Sequence, residues 1–193
     1  MSGRAAEESL PAPRETREEF FDVVDEDDRV VGRAARSEVH GNPALLHRVV
    51  HVLVFDSQGR LFLQRRADDK DVQPGKWDTS VGGHVDAGEE RSAAALREME
   101  EELGIPPDGT ETPNLVFLHG YIHSNEYESE SVHTWMCRWD GPFALQQSEI
   151  SEGRFWTPDE IDALVGRTPK APLFTPNFLD ELDRWRRAGS PLP

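Results

Sequence analysis

The stretch "GGHVDAGEERSAAALREMEEELGI", residues 82–105, constrains this chain more than any other, because it specifies a loop, a helix and the helix's end in one run. "RSAAALREMEEEL" is built of strong helix formers and stops at Gly104, followed by Ile105-Pro106-Pro107. At about 100° per residue, Leu96, Met99 and Leu103 fall on one stripe, while Glu98, Glu101 and Glu102 cluster on the opposite side. The stripe must be buried, so the helix lies on a core with its acids facing outward. Taken alone, a solvated charged face accounts for the acids. Yet like charges three or four residues apart destabilise a helix by about 0.2–0.5 kcal/mol per pair, and a surface has no need of them. A hard divalent cation does, since Mg²⁺ is held by carboxylate oxygens, water and substrate phosphates.

The flanking sequence supplies strands. "FFDVVDEDDRVVGRAA" reads as a hairpin around an acidic turn, and "HRVVHVLVFDSQGRLFLQRR" repeats the pattern with Asp-Ser-Gln-Gly at its turn. A polar loop, "ADDKDVQPGKW", leads to the glycines. Beyond the helix, "NLVFLHGYIH", "SVHTWMCRWDG" and a short "GRFWTP" read as strands, and "PDEIDALVG" as a helix started by Pro158. "PNFLDELDRWRRAG" predicts a closing amphipathic helix with Phe178, Leu182 and Trp185 at helical spacing. Strands with helices between and after them predict a mixed sheet packed by helices, an α+β or α/β sandwich.

Residues 1–19 mix Pro, Ser and charges with almost no apolar content, which predicts a mobile tail, leaving one domain over 20–187 and a short tail over 188–193. Composition excludes several classes. A formal net charge of −16 repels a polyanion, so nucleic acid is not an expected partner. Nothing approaches the ~18 apolar residues of a membrane span. A lone cysteine, Cys137, can form no internal disulfide and reads as a passive strand residue. The expectation is a soluble, cytoplasmic enzyme. A phosphate-bearing substrate would then need bridging cations or a local basic cluster.

Gly83, five residues, Glu89, seven residues, then Arg97-Glu98-Met99, one residue, Glu101-Glu102, one residue, Gly104-Ile105 reproduces the whole signature of the Nudix superfamily, which the chain therefore resembles. Its nine specified positions coincide by chance at roughly one start site in a billion. The resemblance implies an α/β/α sandwich and hydrolysis of a diphosphate bond joining a nucleoside or other moiety to a second group. It implies that Glu98, Glu101 and Glu102 bind Mg²⁺, with Mn²⁺ as the alternative, that the Gly82 carbonyl adds a ligand, and that Glu89 and Arg97 join loop to helix by an ion pair. Metal-assisted attack of water on phosphorus suits such residues, with Glu98 as ligand or base. Members of this family are often dimers, so a homodimer is allowed.

Outside that box, "FDVVDEDDRVVGRAARSEVH", "LLHR", "QRRADDK" and "PGKWDTSVGGH" resemble one branch, the type I isopentenyl-diphosphate isomerases and their hydrolase-like relatives. That likeness implies a second metal site at His40, His47 and His84 with Glu130 and Glu128 from "EYESES", and a diphosphate grip by Arg36, Arg66 and Lys70. Taken singly, each histidine is more often a hydrogen-bonding residue than a ligand, and "RRADDK" could be ordinary loop charge. Only the joint match, in a chain with three lysines, raises the functional reading. The isomerase needs a cysteine where this chain has Gly82, while the acidic set that is degenerate there is complete here. The economical reading is a hydrolase on an isomerase-like scaffold. An allylic-diphosphate isomerase and a non-catalytic module binding a phosphorylated metabolite are the alternatives. Glu149 and Glu152, just before the last expected strand, are candidate extra ligands or bases, and "HTWMCRW" reads as core packing with one aromatic face able to stack on a base or hold a prenyl tail.

Overall fold

Ten residues of near-continuous apolar character, Leu46–Phe55, form strand β3 in the computed structural model, which describes residues 18–70, 72–165 and 173–193. Most of the expected N-terminal tail, residues 1–17, lies outside the described residues. A strand so apolar needs cover on both faces. One edge of β3 pairs in parallel with β8 (Ser129–Arg138) from Leu46↔Ser129 to Phe55↔Arg138. Its other edge is shared in turn by β1 (Phe20–Val24), β6 (Val81–His84) and β4 (Leu61–Arg66), all antiparallel. Outward from these, β2 (Val30–Ala35) pairs with β1, β5 (Trp77–Asp78) and β9 (Ile150–Trp156) with β4, and β7 (Val116–Ser124) with β8. The result is the expected mixed sheet.

Alternation along β3 sends its side chains to two cores. Val50, Val52 and Val54 pack with Ala94, Ala95, Met99 and Leu103 of α2 (Arg91–Leu103), together with Trp135 and Cys137. Leu53 and Phe55 pack on the opposite face with Ile161 of α3 (Pro158–Leu164) and with Phe178, Leu182 and Trp185 of α4 (Pro176–Arg187). Helices on both faces make the sandwich. Cys137 is fully buried, which pushes its thiol up to about 12, and it is a packing residue.

Four details depart from the sequence reading. In α2, Leu96 is only half-buried and the closest packing falls to the small residues Ala94 and Ala95. Arg36–Val39 forms a single helical turn, α1, too short to show a period. The last strand begins at Ile150, so Glu152 lies inside it opposite Arg65 instead of ahead of it, because pairing with β4 extends beyond the apolar residues. Residues 188–193 fold back: the Trp185 Nε1 donates to the Pro191 carbonyl (2.9 Å) and Arg138 to that of Pro193 (2.7 Å). Among the described residues no helix is long and apolar enough to cross a membrane.

Candidate active site

A groove of about 1180 Å³ opens where α2 meets β6, and its walls include Gly82, Gly83, Glu98, Glu101 and Glu102. Glycine at 83 is a steric necessity, since a Cβ there would lie 2.0 Å from the Glu98 Cδ. Gly104 caps α2 at φ 67°, the left-handed conformation glycine adopts without strain. Arg97 organises the region. Its Nε and Nη2 donate to Glu89 (3.0 and 2.9 Å), its Nη2 also to the His84 carbonyl (2.9 Å), and its Nη1 to Glu98 (2.7 Å), with Glu101 at 3.6 Å. Glu89 in turn accepts from the Asp86 N–H at 3.0 Å, so loop and helix are tied through one guanidinium.

The acids do not all face solvent. Glu98 is largely covered, and burial lifts its pKa to about 7 against the pull of Arg97. Burial, with Glu98 nearby, raises Glu102 well above the carboxylate range; its only donors among the described residues are the Gln64 amide at 3.1 Å and the Gly82 N–H at 3.4 Å. Glu101 remains half exposed. A helical wheel puts these residues opposite the core, and the groove wall formed by β6 and β4 then covers two of them.

His40, His47 and His84 converge from three elements, each with a ring nitrogen within 4.8 Å of the others'. The His40 and His84 Nε2 atoms are 3.1 Å apart, and the His84 ring stacks between Phe21 (centroids 4.6 Å) and His47 (5.3 Å). Burial depresses all three pKa values, His84 most, with Arg36 adding to the effect. The depression favours the neutral imidazole, the form that binds a metal. His47 Nε2 is buried with no hydrogen-bond partner among the described residues. Glu130, paired in register with His47, also has a buried oxygen without a partner among the described residues, and burial with Glu128 beside it raises its pKa to about 7. It lies outside the three-histidine cluster.

Arg36, Arg66 and Lys70 line the same groove, each against a carboxylate: Glu19 (2.6 Å), Asp78 (3.6 Å) and Glu149 respectively. Glu149 therefore sits at the groove, while Glu152 does not line it. Trp135 is core, as the sequence suggested.

Two residues, one lining the groove and one buried behind it, escaped sequence reading. His51 lines the groove on β3, and the fully buried Glu181 of α4 holds it, accepting from His51 Nδ1 at 3.0 Å. His119 Nε2 (2.6 Å), the Tyr121 hydroxyl (3.0 Å) and the Thr134 hydroxyl (2.9 Å) complete the carboxylate's partners. Burial opposes charge on Glu181, but the His119 and His51 hydrogen bonds bring its pKa below the usual range. Burial likewise opposes charge on His51, yet Glu181, Glu130 and Asp78 raise it. A signal existed. Glu181 lies within the stripe of Phe178, Leu182 and Trp185, and a charge on a buried helical face demands a partner.

Comparison with known proteins agrees with this geometry. The NUDIX domain pattern matches residues 45–178. The chain is 35% identical over 174 residues to the Nudix hydrolase YfcD of Escherichia coli strain K12, spanning 88% of this chain and 87% of that protein. It is 32% identical over 179 residues to an isopentenyl-diphosphate Delta-isomerase of Serratia proteamaculans, spanning 88% and 97%. A crystal structure from Deinococcus radiodurans superposes with a TM-score of 0.70 at 27% identity, covering 88% of this chain and 99% of that one.

Proposed function

Because the chain belongs to the Nudix family and is one of its hydrolases, on the branch that resembles the isopentenyl-diphosphate isomerases, we propose that it cleaves a diphosphate linkage in a small cytoplasmic metabolite using Mg²⁺. The observation that carries this reading is that Glu98, Glu101 and Glu102 line one groove together with Gly82 and Gly83, and that Arg36, Arg66 and Lys70 line the same groove. The residues fit a hard cation: Glu98 and Glu102 are covered carboxylates short of donors, and Gly82 has no side chain to block its carbonyl. Glu98, Glu101, Glu102 and the Gly82 carbonyl would hold Mg²⁺ or Mn²⁺. Held by these residues, such a cation would supply charge neutralisation for phosphoryl oxygens and a more acidic water.

The chain's own groups do the rest. Glu89 holds Arg97, and Arg97 holds Glu98 and Glu101 apart from one another's charge. Glu98 would either help hold the cation or, as base, accept the proton of the attacking water. Lys70, Arg66 and Arg36 exchange their carboxylate partners for phosphoryl oxygens when substrate enters. The test is phosphate or pyrophosphate release from a panel of nucleoside triphosphates, dinucleotides, nucleotide sugars, coenzyme A derivatives and prenyl diphosphates with Mg²⁺. Release on one class, lost in Glu101→Gln, is expected; equal activity in that variant overturns the assignment.

The histidine cluster supports a second ion. His40, His47 and His84, with the unpartnered Glu130 oxygen nearby, suit a borderline divalent cation that takes imidazole ligands. Elemental analysis of the purified protein should find about one such ion per chain, and none in His47→Ala. That cluster also favours an isomerase as the second reading. Against it, Gly82 offers no proton-transfer group and Cys137 is buried in the core. Solvent deuterium entering isopentenyl diphosphate would reinstate it.

A further inference from the structure

The register of the sheet lines up Gly82, His51, Thr134 and His119 as neighbours across β6, β3, β8 and β7. Glu181 descends from α4 onto that row and takes a hydrogen bond from three of its members. His51 is the member beside the signature loop: a Cβ on Gly82 would come within 3.3 Å of its Cδ2 and 3.6 Å of its Nε2. With Nδ1 committed to Glu181, the ring can rotate little, and Nε2 makes no hydrogen bond among the described residues although the side chain lines the groove. The side chain is otherwise almost fully covered. The groove's other cations, Arg36, Arg66, Lys70 and Arg97, each already face a carboxylate.

A buried carboxylate that meets this many donors is not needed for packing, since apolar residues of the same volume serve as well or better. What it supplies is a fixed ring direction, as an orienting carboxylate does for the histidine of a catalytic pair. We propose that His51 is a substrate-binding residue whose Nε2–H donates to a phosphoryl oxygen at the groove floor, and that Glu181 is the positioning residue that aims it. In the complex both ring nitrogens donate, one to Glu181 and one to the phosphate, so the ring's charge lies between two anions. His119, Tyr121 and Thr134 hold the Glu181 carboxylate in turn and have no direct part in binding.

This inference rests on the diphosphate reading of the groove, and a binding experiment separates the two. The probe is methylenediphosphonate, a diphosphate that cannot be hydrolysed, titrated calorimetrically into the full chain with saturating Mg²⁺. A charge-assisted hydrogen bond lost from a closed site weakens binding about tenfold, which is the effect expected for His51→Gln. Glu181→Gln should weaken it severalfold, and the double variant no more than His51→Gln alone, because Glu181 acts through His51. A purely structural Glu181 would instead give losses that multiply. Binding of His51→Gln within twofold of the wild type overturns the inference while leaving the hydrolase intact. Failure of the unaltered protein to bind the probe overturns both. If Glu181→Gln does not fold, ¹⁵N spectra of the histidine rings in the wild type decide: the His51 Nε2 signal moves when the probe is added, or the proposal falls.

Discussion

Two sets of covered carboxylates serve one groove, Glu98 and Glu102 by lining it and Glu181 from behind His51, and they are treated in opposite ways. Glu98 and Glu102 on α2 sit close to each other with few donors, and burial lifts both, Glu98 to about 7. Glu181 on α4 is more deeply buried, yet four side chains donate to it and its pKa falls. Burial is thus no guide to what a carboxylate does; the count of donors is. The first set is short of donors among the described residues, and under the proposed function cations from outside would complete it. The second is complete and serves as framework.

The sharpest way to break that contrast is to neutralise one member of each set. Glu102→Gln should reduce turnover by about 10²- to 10⁴-fold, the range for losing a group engaged in proton transfer or its charge environment. Its thermal stability should not fall, since the raised pKa means that the fold disfavours the ionised carboxylate, which the neutral amide lacks. A variant that keeps its activity, or loses it only by unfolding, would place Glu102 with Glu181 as framework.

Glu181→Gln should show the reverse emphasis in stability. Removing the charge from a buried, paired carboxylate costs about 3 kcal/mol, which for a domain of this size lowers Tm by on the order of 10 °C in calorimetry. The sign with pH follows from its depressed pKa. Stability from the ionised carboxylate is present above its unfolded value of about 4.5 and is lost as pH falls toward its folded one, so the gap between wild type and variant narrows in acid. A gap of constant width from pH 7 to pH 3 would mean that packing, not charge, is what Glu181 contributes.

The asymmetry also explains what could be read from the sequence. Local patterns carried the fold well: both hairpins, the signature helix with its Gly104 stop, and α4 with Phe178, Leu182 and Trp185 on one face are set by periodicity and turn residues within each segment. The α2 acids were legible for the same reason, being compressed into one helix. His51 and Glu181 are 130 residues apart and meet only because β3, β8 and β7 register beneath α4. No short window contains that information. The odd face of β3, with His47 and His51 four residues apart, and the charge inside the α4 stripe were the available hints, and neither names its partner. The cover over Glu98 and Glu102 was hidden likewise, since a helical wheel shows the far side of a helix as solvent when another strand can lie there.

The smallest of these effects, and the one that tests the incomplete set most directly, is the pH dependence of Mg²⁺ binding. A cation must displace the protons that the empty groove retains. With Glu98 at about 7, roughly nine-tenths of that group is protonated at pH 6 and one-tenth at pH 8, so the apparent Mg²⁺ affinity should rise about tenfold between them. Glu102, also raised by burial and by Glu98 beside it, adds to the dependence in the same direction. The measurement is the Mg²⁺-induced rise in Tm at a fixed total concentration, which at a hundredfold excess over the dissociation constant is worth about 2.7 kcal/mol. The rise should be small at pH 6 and large at pH 8 in the wild type, should lose most of its pH dependence in Glu98→Gln, and should keep it in Glu181→Gln. An affinity that does not change with pH would show that Glu98 and Glu102 are already ionised without a cation. Donors within the protein would then satisfy them as fully as they satisfy Glu181.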